Sequence, residues 1–159
     1  MKELENSPIP RSTERRVQEV TLYVDGSCKG NPGEGGAGVV IKDGQSRSLS
    51  HIKRYLGSVT NNIAEYQALI IGLQKAKQLG AQEVEIYLDS ELVVKQINGV
   101  YRVRDSKLKT LEGEVKELLK QFARWVIRHI PREENREADR LAREAVRDKG
   151  DQVVAGPST

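Results

Sequence analysis

The sequence predicts an α/β domain: a mixed sheet with helices packed against it. Three observations carry that expectation. Consecutive segments with two-residue apolar alternation between residues 17 and 57 point to three antiparallel strands. Beyond residue 60, helical and strand periodicities alternate, which suits strands added in parallel through helical connections. A chain of 159 residues is long enough for one domain with a real core and short for two.

Residues 1–16 mix charges with Ser7, Pro8 and Pro10 without periodicity and read as a flexible arm. In "VQEVTLYVD", Val20, Leu22 and Val24 fall on one face, giving a first strand over 17–25. "CKGNPGEGG" reads as a turn, and "AGVVIKDG" and "SRSLSHIKRYLG" as two strands joined near Asp43-Gly44, a hairpin signal. "NNIAEYQALIIGLQKAKQL" is a helix, with Ile63, Tyr66, Ile70 and Leu73 on one side and Gly80 as its stop. "EVEIYLD" is a fourth strand ending at Asp89, followed by a short helix, "SELVVKQI". Leu108, Leu111, Val115, Leu118 and Phe122 recur at steps of three and four and mark a longer helix. "WVIRHI" is a fifth strand. "EENREADRLAREAV" is the last helix, with Ala138, Leu141, Ala142 and Ala145 facing inward. Residues 148–159 read as a loose tail, leaving 17–147 as the folded domain.

One motif tests a competing architecture. Residues 33–38, "GEGGAG", have the G-x-G-x-x-G spacing that holds a pyrophosphate in dinucleotide-binding domains. That fingerprint needs a helix to open on it and an acid about 20 residues later. Here it leads into the β-branched run "VVIK", and residues 44–64 contain no Asp or Glu. The dinucleotide reading therefore fails, and the glycines are expected to turn the chain between antiparallel strands.

Composition narrows the class. The chain is 37% hydrophobic and 31% charged, as in ordinary globular domains. It has neither an apolar run of about 18 residues nor a signal-peptide core. A single cysteine, Cys28, cannot form an internal disulfide, so a cytoplasmic location is expected. The net charge of +3 permits a polyanionic partner without requiring one.

Four acids could meet. Asp25 and Asp89 end apolar strands, and parallel neighbours would deliver both carboxylates to the same carboxyl edge. Glu65 lies near the start of the helix after "TNN", and Asp139 near the start of the last helix. Each has a structural explanation when taken singly. Asp25 could be a turn residue, Glu65 a capping-box partner of Asn62, Asp89 a helix cap, and Asp139 a solvated charge. Taken together, four carboxylates in one cleft repel unless a cation neutralises them. Their hard oxygens suit Mg²⁺ or Mn²⁺, and two such ions about 4 Å apart suit phosphodiester hydrolysis.

The segments "YVDGSCKGNPGEGGAG", "TNNIAEYQAL", "YLDSELV" and "HIPREENREADRLA" resemble type 1 ribonuclease H, the ribonuclease HI family, over roughly residues 20–146. Four blocks in series make the resemblance specific. It implies a five-stranded mixed sheet flanked by helices. The implied activity is endonucleolytic cleavage of the RNA strand of RNA–DNA hybrids by a monomer carrying two Mg²⁺ or Mn²⁺ ions, leaving 5′-phosphate and 3′-hydroxyl ends. By the same resemblance Asp25, Glu65, Asp89 and Asp139 match the metal-binding catalytic acids. Thr60 and Asn62 match residues that hold a DNA-strand phosphate, and Asn31 and Asn61 match minor-groove contacts. Gly26, Ser27 and Cys28 match the turn that approaches RNA 2′-hydroxyls, in keeping with RNA readout through the 2′-OH.

The chain departs from the family pattern in several places. Where many members carry a loop histidine before the last aspartate, this chain has Arg132, while His129 falls at the end of the fifth strand. Arg132 is taken as the functional counterpart, in an electrostatic role, because arginine cannot serve as a base near neutral pH. Glu91 stands where an amide is common. "NGVYRVRDSKLK" replaces a long basic protrusion, although Arg102, Arg104, Lys107, Lys109 and Tyr101 keep charge and a stacking face there. The N-terminal arm does not resemble the hybrid-binding domain of longer members. Weaker, more salt-sensitive binding is expected. The alternatives are a non-catalytic binding module of the same fold, or a related nuclease acting on DNA or duplex RNA.

Overall fold

A computed structural model describes residues 18–155. The expected arm over 1–16 lies outside these residues. Strand β1 (Glu19–Gly30) is followed by β2 (Gly33–Asp43), β3 (Ser48–Val59) and helix α1 (Asn61–Gln78). Then come β4 (Glu83–Leu88), α2 (Glu91–Ile97), α3 (Ser106–Leu119) and β5 (Arg124–His129). A single 3₁₀ turn (Arg132–Glu134) leads into α4 (Arg136–Asp148), and β6 (Gln152–Ala155) ends the described chain. The order across the sheet is β5-β4-β1-β2-β3-β6. β1, β2 and β3 are antiparallel, and β4 and β5 add in parallel beside β1.

The sheet has six strands rather than the expected five. The additional strand comes from the segment expected to be a loose tail: residues 152–155 pair antiparallel with β3, from Ser50↔Ala155 to Lys53↔Gln152. Its side chains are all exposed, so backbone hydrogen bonds rather than an apolar face hold it at the edge.

One face of the sheet is sealed by α1. Tyr66, Leu69 and Leu73 are fully buried against Leu22, Val24, Val39 and Ile86. α3 reaches the same core through Val115 and Leu119, with Leu108, Leu111 and Leu118 at its margin. The opposite face of β1, β2 and β3 receives α4 through Ala138, Leu141, Ala142 and Ala145, the expected positions. No helix among the described residues is long and apolar enough to cross a membrane.

Of the "GEGGAG" glycines, Gly33 closes the hairpin turn against the Lys29 carbonyl, while Gly36 and Gly38 do something other than turn the chain. The turn is confined to Asn31 and Pro32, and residues 33–38 run inside β2. A Cβ on Gly38 would collide with the Ala138 carbonyl oxygen, and one on Gly36 with that of Ala142. The bare backbone therefore lets α4 lie directly on the strand. Gly26 in β1 has the matching role for α1, since a Cβ there would strike the backbone of Ala64 and Glu65. Four ion pairs among the described residues secure α4 laterally: His51–Glu137 at 3.8 Å, Lys53–Glu144 at 3.3 Å, Lys53–Asp148 at 3.4 Å and Lys149–Glu34 at 3.1 Å.

Gly38→Ala must push α4 away and should cost about 3 kcal/mol or more in urea unfolding. Gly113 is exposed in α3 with nothing near its missing Cβ. Gly113→Ala should instead stabilise by about 0.5–1 kcal/mol through helix propensity. Equal effects from the two substitutions would contradict the packing role assigned to Gly38.

Candidate active site

Four acids stand at the carboxyl edge of the central strands, delivered by four different elements. Asp25 continues β1 opposite Gly38 of β2, and Asp89 follows the last residue of the parallel strand β4. Glu65 comes from the second turn of α1, and Asp139 from the first turn of α4. The single-residue structural explanations mostly fail. Thr60 caps α1, accepting from the Ile63 amide at 3.3 Å, so Glu65 is not a capping-box partner of Asn62. Glu65 instead accepts from the Gly26 amide at 3.3 Å. Ser90 caps α2 through the Val93 amide at 3.3 Å, which leaves Asp89 free of that duty.

Carboxylate oxygens of Asp25, Glu65 and Asp89 lie within 4.8 Å of one another. The expected foursome is therefore a threesome with a neighbour. Asp139 stays outside that set, although its carboxyl is close enough to raise the Asp25 pKa. Two arginines hold it: Arg143 at 3.0 Å, one helical turn on, and Arg132 at 3.7 Å. Arg132 itself is largely exposed, so this contact is weakly held.

The electrostatics of the cluster are unfavourable without a counter-charge. Asp25 is 4% exposed, and burial raises its pKa, with further increases from Glu65, Asp89 and Asp139. Burial also raises the Glu65 pKa, and Asp89 adds to the effect. The Gly26 amide and Arg132 oppose it. Converging oxygen donors with excess negative charge and little internal compensation fit a hard divalent cation. Asp25, Glu65 and Asp89 would hold one such ion. Asp139 could join once its arginines are drawn elsewhere.

The surrounding loops place the other expected residues around this edge. Asn31 Oδ1 accepts from the Asn61 amide at 3.0 Å, joining the hairpin tip to the start of α1. Cys28 Sγ donates to the Val59 carbonyl at 3.0 Å, and burial raises its pKa, so the thiol is neutral at pH 7. Gly26, Ser27, Asn62 and Thr60 are half-buried beside these contacts, and Asn61 is exposed. His129 is exposed at the end of β5, where it pairs in register with Leu88, the residue before Asp89.

Sequence reasoning missed two residues. Asn135 is 2% exposed, and its amide donates to the Val24 carbonyl at 2.8 Å, just before Asp25. Its Oδ1 is buried without a partner among the described residues. This bond fixes the start of α4 against the middle of β1 and so sets Asp139 beside Asp25. No local pattern signals a contact across more than a hundred residues. Arg143 did leave a signal, because its i, i+4 spacing from Asp139 predicts an ion pair on a helix.

The raised pKa of Asp25 gives a pH dependence with a definite sign. In the unfolded chain this group titrates near 3.8, and in the folded, metal-free protein it is pushed up to about 10. Between those values the folded state binds more protons, so metal-free stability falls as pH rises. Asp25→Asn should therefore melt above the wild type at pH 8 in EDTA, with the gap closing as pH falls below about 4. Addition of Mg²⁺ at pH 8 should raise the wild-type melting temperature but not that of the variant. A melting temperature unaffected by Asp25→Asn at pH 8 would refute the repulsive cluster.

A family model described as reverse transcriptase-like matches residues 23–145. The chain is 40% identical over 133 residues to ribonuclease HI of Halobacterium salinarum, covering 84% of this chain and 67% of that protein. It superimposes on the N-terminal RNase H domain of a Mycobacterium tuberculosis protein with a TM-score of 0.79 at 40% identity. That match covers 80% of this chain and 98% of the solved one. The full-length mycobacterial relative is named a bifunctional protein, and the match spans only 35% of it. A structure of LC11-RNase H1 in complex with an RNA/DNA hybrid gives a TM-score of 0.78 at 39% identity, over 82% of this chain and 98% of that one. The match of the family model over residues 23–145 and the likeness to ribonucleases H in sequence and structure over most of the chain place this protein in the ribonuclease H family.

Proposed function

We propose that the protein is an endoribonuclease that cuts the RNA strand of RNA–DNA hybrids using two divalent cations, Mg²⁺ or Mn²⁺. The products are 5′-phosphate and 3′-hydroxyl ends. The observation that carries this reading is the cluster of Asp25, Glu65 and Asp89, with Asp139 alongside, at an open strand edge. The likeness to a ribonuclease H1 solved with an RNA/DNA hybrid supports the choice of substrate.

When bound, the divalent ions supply Lewis acidity at the scissile phosphate and lower the pKa of the attacking water. The protein's own groups do the rest. Asp25, buried at the base of the site, and Glu65, anchored by the Gly26 amide, form a rigid pair of oxygen donors. Asp89 completes the set from the end of β4, and Asp139 closes it from α4. Arg132 carries a permanent positive charge on an exposed side chain at the rim, where it meets phosphate rather than moving protons.

Substrate selection falls to the loops. Gly26, Ser27 and Cys28 approach the 2′-hydroxyls of the cut strand, the feature that separates RNA from DNA. Asn31 and Asn61, already joined by a hydrogen bond, enter the minor groove together. Thr60 and Asn62 hold a DNA-strand phosphate at the N-terminus of α1, where the helix dipole favours an anion.

The test is cleavage of an RNA–DNA hybrid beside duplex DNA and duplex RNA, with Mg²⁺, Mn²⁺ or EDTA. The RNA strand of the hybrid should be cut with either metal and remain intact in EDTA. Asp25→Asn should lower kcat at least about a thousandfold while keeping the fold, as expected when charge stabilisation of the transition state is lost. Metal-independent cleavage, or full activity in the variant, would defeat the proposal.

A further inference from the structure

Beside the acid cluster, a groove of about 540 Å³ separates the β1–β2 hairpin from the C-terminal half of α4. Lys29 stands on the hairpin wall, and Arg143, Arg147 and Lys149 stand on the helix wall; Glu34 is the one acid in the lining. The groove shares residues with the candidate site. Ser27 and Cys28 belong to it, and Arg143 also lines the neighbouring hollow that opens on Asp139 and Arg132.

Basic residues at a helix C-terminus complement its free carbonyls, and that accounts for Arg147. It does not account for Lys29, which lies on the opposite wall. Nor does it account for Lys149, which occupies the left-handed cap position of α4 at φ 47°. Glycine is favoured at such a cap, and Gly150 is the very next residue. The strained lysine reaches over the groove to Glu34, with Nζ and Oε2 3.1 Å apart.

We infer that this groove carries the backbone of the RNA strand on its way to or from the cut phosphate, with Lys29, Arg147 and Lys149 as phosphate contacts. The inference rests on the proposed ribonuclease activity and extends it. The lining holds four cations and one acid. Arg143, Arg147 and Lys149 are paired with Asp139, Asp148 and Glu34, while Lys29 forms no ion pair among the described residues. A phosphate backbone would replace those carboxylate partners. Ser27 and Cys28, in the β1 segment beside Asp25, and Arg143, the partner of Asp139, select the strand that is cut. Arg143 joins the two regions: a phosphate entering the groove offers it a second partner, releasing Asp139 toward the other carboxylates. The short basic loop near Tyr101 is thus not the sole source of backbone affinity in a chain without a long basic protrusion.

The test uses the full chain with Lys29→Gln, Arg147→Gln and Lys149→Asn combined, asparagine being chosen because it tolerates the left-handed backbone. Measured on a hybrid of about 18 base pairs, KM should rise about tenfold with kcat within about twofold of wild type. The slope of log affinity against log salt, read with Ca²⁺ in place of Mg²⁺, should become shallower by about two, since each lost phosphate contact removes about 0.7–0.9. Lys29→Gln alone, on the exposed hairpin, should lower the slope by somewhat less than one if the triple variant fails to fold. Unchanged KM and salt slope, whatever happens to the melting temperature, would overturn the groove while leaving the ribonuclease reading intact. Absence of hybrid cleavage by the wild type would overturn that reading and this inference with it.

Discussion

At Gly26 and Gly38, helix backbone meets strand backbone with no side chain between them, and the arrangement of the whole site follows from those two approaches. Gly26 admits the first turns of α1, so Glu65 reaches the β1 amide beside Asp25. Gly38, the register partner of Asp25, admits the Ala138 carbonyl, so Asp139 emerges next to the same aspartate. Any larger residue would hold a helix off by the width of a methyl group, and a carboxylate moved that far leaves the cluster. The Asn135 bond to Val24 adds direction to this closeness by fixing where α4 begins.

The same closeness makes the site electrostatically unfavourable. Burial and mutual repulsion raise the pKa of Asp25 and Glu65, and an apolar replacement would relieve both. The protein maintains the arrangement with packing on one side and cations on the other. Packing comes from the core beneath α1 and the alanine face of α4. The cations are unevenly placed: Arg132 and Arg143 attend Asp139, while no arginine or lysine among the described residues forms an ion pair with Asp25 or Glu65. That asymmetry separates the inner three acids, which form no ion pair among the described residues, from an outer acid that already has two basic partners.

Much of this was legible in the sequence, for identifiable reasons. Local periodicity carried the helices and central strands, because burial of one face imposes it, as with Ala138, Leu141 and Ala142. The position of Asp89 at the end of β4 was legible. Asp25, expected at a strand end, instead lies inside β1, which runs on to Gly30 in the β2 hairpin after its parallel pairing with β4 stops at Tyr23. β6 was not, since "QVVA" is short, exposed on both faces and held by main-chain bonds that leave no side-chain pattern. Gly36 and Gly38 were misread as part of a turn because their purpose is contact with a helix a hundred residues later. Asn135 escaped for the same reason: its partner is a distant carbonyl. The exclusion of Asp139 from the inner set was also hidden, as it depends on which side chains of α4 and its leading turn fold back on it.

The central claim is that glycine-seated elements assemble a carboxylate site for divalent cations. Crystals soaked in Mn²⁺, with anomalous scattering recorded at the manganese edge, test it most directly. The account predicts an anomalous peak bounded by oxygens of Asp25, Glu65 and Asp89, at the roughly 2.0–2.6 Å typical of hard-cation ligation. A peak elsewhere with none among those three residues, at Mn²⁺ concentrations that saturate the surface sites, would contradict it.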